Sequence, residues 1–96
     1  SDTGNYDAAI LFYNMLIDLY KQVGMADNLA LAVCYKELAF TYAHKGEFSL
    51  GSECLQKAVV MYKNIYAPDE YLAEIQSIRS FPLFPKFSVE VQQLIS

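Results

Sequence analysis

The chain is short of the residues that most chemistries need. It holds one histidine, His44, and no tryptophan, and its seven basic residues stand singly. Lys21, Lys36, Lys45, Lys57, Lys63, Arg79 and Lys86 form no stripe, and the net charge is −4 with a sequence pI near 4.7. A phosphate backbone is recognised by clustered Lys and Arg, so nucleic acid is not an expected partner. The same scatter leaves no polybasic membrane patch, and no apolar run reaches the roughly 18 residues that span a bilayer. No glycine-rich phosphate loop is present. There is no initiator Met and no charged-then-apolar leader, so the sequence reads as a processed product or, more readily, as a piece of something longer. There are two cysteines, Cys34 and Cys54, and no Asn-x-Ser/Thr acceptor. That usage points to a reducing compartment, cytoplasm or nucleus, and to two free thiols packed as small hydrophobes rather than a disulfide.

What the chain does hold is apolar and aromatic. Hydrophobic residues make up 54% of it, including eight Tyr and six Phe. That is above the usual ~45–50%, so the chain buries a core and is not disordered. Ninety-six residues suffice for one compact domain with one core.

Comparing the chain with itself at an offset of 42 aligns GNYDAAILFYNMLIDLYKQV, from Gly4, with GEFSLGSECLQKAVVMYKNI, from Gly46. Gly4 meets Gly46, Tyr6 meets Phe48, Ala9 meets Gly51, Tyr13 meets Leu55, Leu16 meets Ala58, Tyr20 meets Tyr62 and Val23 meets Ile65. The pairs from Ala9 onward follow the spacing of one helical face, which predicts a buried stripe in each copy. Between the copies, Asp27 is a candidate helix cap after the Gly24 turn, and Asn28 to about His44 should form a helix that is apolar on two faces. Pro68 suits a first helical position, with Asp69 and Glu70 favourable beside it. Pro82 and Pro85 break helix and favour extended backbone, after which SVEVQQLIS offers a short amphipathic stretch with Ser88 as a cap. The expectation is an all-α chain of four or five helices without strands: residues 4–23, 27–66 as a helix pair, 67–80 as a closing helix, and a proline-containing tail over 81–96.

Within this pattern, YKELAFTYAHKGEFSLGSECLQKA resembles a tetratricopeptide repeat through Tyr35, Leu38, Ala39, Tyr42, Gly46, Phe48, Gly51, Leu55 and Ala58. Tyr35 and Leu55 stand where Trp and an aromatic are common. GNYDAAILFY matches the second half of a preceding repeat through Gly4, Tyr6, Ala9 and Tyr13, so the resemblance covers about residues 4 to 66. The 42-residue period is similar to the long repeats of kinesin light chains and related adaptors. The resemblance implies antiparallel helix-turn-helix units in a right-handed solenoid, with residues 68–80 as a capping helix. It also implies that Gly51 lies against Ala39, with Ala58 as a further close-packing position; a bulky side chain at Gly51 would then push two helices apart.

The same resemblance implies a non-catalytic module that binds a partner protein or peptide in a groove lined by Val33, Lys36, Phe40, Ala43 and His44. Lys36 fits the lysine place of clamps that grip chaperone carboxylates, but Phe40 stands where those clamps need Asn. The stripe around Tyr13, Leu16 and Tyr20 lacks its usual first-helix partner. Self-association, or a partner covering that end, is therefore expected. Two alternatives are a structural segment of a large assembly and a regulatory domain of an enzyme whose catalytic part lies elsewhere. For catalysis, His44 beside Lys45 at a helix end is accounted for by the helix dipole, and Asp69 and Glu70 by a helix start. Cys34, His44 and Cys54 match no compact metal-ligand spacing, so neither a metal nor a cofactor is expected.

Overall fold

The computed structural model describes residues 2–24 and 28–95, with the side chains of residues 2 and 3 left aside. The described residues form five α-helices and no strand: α1 (Asp2–Gln22), α2 (Leu29–His44), α3 (Phe48–Ile65), α4 (Pro68–Arg79) and α5 (Val89–Ile95), with one 3₁₀ turn over Phe84–Lys86. The boundaries follow local chemistry. Asp27 lies outside the described residues; the observed cap of α2 is Asn28, whose side-chain oxygen accepts from Ala30 N at 2.6 Å. α2 ends in a Schellman turn: Gly46 N donates to Ala43 O and Glu47 N to Tyr42 O, both at 2.9 Å, with Gly46 at φ 86°. That left-handed conformation suits glycine, and it reverses the chain into α3 within three residues. At α4, Pro68 opens the helix and Glu70 reaches back to Ala67 N at 3.1 Å.

α2 is the central element because it is apolar nearly all round. It buries Leu31, Ala32, Cys34, Tyr35, Leu38, Ala39 and Ala43, and it packs against α1 on one side and α3 on the other. α3 answers with Leu55, Ala58, Val59 and Tyr62, all essentially inaccessible. α4 contributes Ile75 and Ile78, and α5 contributes Val91 and Ile95. Among the described side chains of α1, the one that is buried in the core is Ile17.

Gly51 sits in α3 with ordinary helical φ, so its role is space. A Cβ there would lie 2.9 Å from Ala39 O and 3.0 Å from Phe87 Cε1. Ala39 is thus its neighbour across the helix pair, and the tail ring is a second neighbour that the sequence did not suggest.

The tail differs from expectation. Pro82 and Pro85 do not hold it extended; it curls through the 3₁₀ turn and folds back over α2 and α3. The reason is aromatic burial: Phe87 is almost wholly buried, and Phe81 stacks on Phe40 with ring centroids 4.0 Å apart. Hydrogen bonds fix the fold-back. Ser88 N donates to Ser52 Oγ at 2.9 Å, Ser52 Oγ donates to Phe48 O at 2.7 Å, and Arg79 Nη2 donates to Ile95 O at 2.9 Å. Ser88 also caps α5, accepting from Val91 N at 3.3 Å.

Candidate functional site

The face formed by Val33, Lys36, Phe40, Ala43 and His44 is not an open groove. Val33 is exposed, but Ala43 is buried and Phe40 lies face to face with Phe81. Lys36 Nζ meets Glu74 Oε2 of α4 at 3.4 Å, with both side chains largely covered. His44 stacks on Tyr6 at 5.6 Å and meets Phe81 edge-on at 5.4 Å. Tyr6 of α1 and Phe81 of the tail flank His44, which stays exposed like Val33, whereas Lys36, Phe40 and Ala43 belong to the chain's own packing.

The end face is also displaced. Tyr13, Leu16 and Tyr20 are half-buried and packed against the core. α1 has α2 as its main neighbour, so its inward direction is set by Ile17, and these three residues flank it. The uncovered face lies further round the helix. Leu11, Phe12, Met15, Leu19 and Val23 are each more than half exposed, and Phe12, Met15, Leu16, Leu19 and Gln22 line a shallow depression along it. A count of apolar positions at 8, 12, 15, 19 and 23 could have found this second stripe.

A larger feature escaped the sequence reading. α1 and α3 both pack on α2 yet barely meet each other, leaving a cleft of about 800 Å³ with α2 as its floor. The floor is apolar: Leu31, Tyr35, Leu38 and Tyr42. The α1 lip carries Asn14, Asp18 and Lys21, and the α3 lip carries Glu53 and Lys57. Lys21 Nζ and Lys57 Nζ lean over the ring of Tyr35 from opposite lips, at 5.9 and 5.4 Å from its centroid. Each has an acid one turn earlier on its own helix, yet among the described residues neither forms an ion pair. Cys54 lies in the wall, where burial pushes its thiol up to about 11. It is therefore a neutral thiol near pH 7 and a poor nucleophile.

Polar chemistry elsewhere is sparse. Lys45 Nζ meets Asp7 Oδ1 at 2.7 Å, and that hydrogen bond raises the lysine's pKa. Cys34 is buried and unpaired, its pKa raised by burial and then by Glu37. Among the described residues no group of three or more His, Cys, Asp or Glu is placed to hold a metal ion, and no helix is long and apolar enough to cross a membrane.

Comparison of the chain with protein-family models, with curated proteins and with solved structures finds no match in any of the three.

Proposed function

We propose that the chain is a non-catalytic protein-interaction module, a segment of a tetratricopeptide-like right-handed helical array working in the cytoplasm or nucleus. The observation that carries this reading is the uncovered outer face of α1, where five large apolar side chains lie in one stripe. A contiguous apolar patch of this kind marks a docking surface more often than an idle one. The internal 42-residue period supports the array, because stacked repeats bury such faces on their neighbours.

The partly covered state of Lys36 and Phe40 favours one form of this reading over another. Docking on the α1 end, by a protein, a peptide or a second copy, leaves the tail in place, whereas groove binding would have to displace Phe81 from Phe40. Service as a packing segment of a larger assembly is the second reading, favoured by that same end-on geometry. A photo-crosslinking phenylalanine analogue in place of Met15 tests both. Irradiation in cells should yield protein-sized adducts from position 15 and none from the same analogue at exposed Glu90; equal yields from the two positions, or none from 15, would sink the proposal.

A further inference from the structure

The outer face of α1 carries no charge along its length, and that limits what can cover it. At about 100° per residue Ala8 lies opposite the buried Ile17, and Met15 and Leu19 lie about 160° from it. Leu11, Phe12, Gln22 and Val23 complete the exposed sector; Val23 N still donates to Leu19 O at 3.1 Å, so the helical path holds to its end. From Ala8 to Val23 the sector runs about 22 Å at 1.5 Å per residue. The charges on the described side chains of α1 lie on other sides. Asp7 meets Lys45 at 2.7 Å, and Asp18 and Lys21 line the cleft toward α3, all three within about 100° of Ile17.

We infer that this face pairs two copies of the chain, antiparallel about a two-fold axis near Met15. The pairing rests on the docking role proposed above for the same face and gives it an occupant. Charge selects a second copy. An isologous contact sets a patch against itself, so charges within the patch of a chain of net charge −4 would meet their own kind. A face without charge meets that condition, whereas docking of a different protein would leave the face free to carry charges that steer and select it. Shape fits as well: Leu11 is 63% exposed and stands outside the lining of the depression, so each copy offers a knob and a seat. Five side chains more than half exposed supply on the order of 100 Å² each, or about 1,000 Å² across a pair, where specific association begins. An area that small gives a dissociation constant of about 10–100 µM, and the face is open in dilute solution. Met15 stands near the midpoint of the stripe, so antiparallel packing about it covers both ends. Parallel packing in register would cover them too, but it would align the two helix dipoles and set Asp7, Asp18 and Lys21 level with their own copies.

Sedimentation velocity of the full chain should give one chain mass at about 1 µM and approach two at about 300 µM. Met15→Glu should weaken pairing at least tenfold, while Val60→Glu, which also charges an exposed apolar site but in the α1–α3 cleft, should leave it unchanged; thermal melts establish that each variant is folded. Direction is read by disulfide trapping against the background of Cys34 and Cys54. Met15→Cys should trap a covalent dimer, whereas the two copies of Leu11→Cys would lie about 12 Å apart along the helices and should not. A chain that stays monomeric at 300 µM, a dimer that survives Met15→Glu, or equal trapping from positions 11 and 15 would overturn the pairing. The crosslinking in cells separates this failure from that of the docking role. Adducts from position 15 made only of peptides of this chain support the pairing; adducts with another protein overturn it and leave the docking role standing; no adducts sink the docking role itself.

Discussion

α1 and α3 align with each other in sequence at an offset of 42 residues, yet they end up in opposite circumstances. Leu55 of α3 is fully buried, while Tyr13, its counterpart in α1, is half covered. Tyr62 is inaccessible, while Tyr20 reaches the edge. The stripes are alike; the neighbours are not. α3 is enclosed by α2, α4 and α5, whereas α1 rests mainly on α2. A repeat pattern therefore fixes which side of a helix is apolar, and the number of adjoining elements decides how much of that side is buried.

The sharpest way to break the comparison is to truncate one residue on each helix. Leu55→Ala should cost about 2–5 kcal/mol in a denaturant titration, since it opens a cavity at a site closed on all sides. Leu19→Ala, on the outer face of α1, should stay within about 0.5 kcal/mol. Similar losses at the two sites would mean that the outer face of α1 is buried in solution.

A smaller effect is expected at the contact where α2, α3 and the tail converge. Gly51→Ala gains about 1 kcal/mol of helix propensity but sets a methyl 2.9 Å from a backbone carbonyl that α2 holds in place. The carbonyl cannot retreat as a side chain would, so the net change should be a loss of about 1–2 kcal/mol. Thermal melting would then fall by about 4–16 °C for a domain of this size. The counterpart Ala9→Gly in α1, where the helix side is half exposed, should lower stability by no more than the propensity difference of about 1 kcal/mol. A rise in melting temperature for Gly51→Ala would show that the helix pair is looser than the structure has it.

The smallest effect concerns Tyr62. Its hydroxyl is buried without a hydrogen-bond partner among the described residues, and its pKa is raised by that burial and then by Glu74. Tyr62→Phe removes an unsatisfied group and keeps the ring stacked on Tyr66, so stability should hold or rise by up to about 1 kcal/mol. A clear loss in the same denaturant titration would reveal a partner for that oxygen.

Much of the helix layout was legible because breakers and caps punctuate it. Gly46 closes α2, Pro68 opens α4, and Ser88 caps α5. In the tail the short helix after Ser88 is legible, but the extended backbone that Pro82 and Pro85 favour gives way to a 3₁₀ turn. Phe81, Phe84 and Phe87 recur every third residue, which is the period of a 3₁₀ turn, and that spacing was the available signal. Lys36 and Phe40 do share one face of α2, but no local pattern says that Glu74 and Phe81, about forty residues onward, will meet them there. The cleft was invisible for a related reason: Lys21, Tyr35 and Lys57 lie on three helices, and only the packing angle of α1 against α2 brings them to one point.

The fold-back of the tail also has a consequence in time. α2 and α3 form a hairpin of local contacts, whereas Phe81 and Phe87 reach Phe40 and Gly51 across about forty residues of chain. Local pairs close before distant ones. During synthesis at about 5–20 residues per second, the thirty residues separating the end of α3 from the end of α5 take roughly 2–6 seconds to follow. For that interval the nascent hairpin displays Phe40 beside an uncovered Gly51, an adhesive surface that the finished molecule conceals.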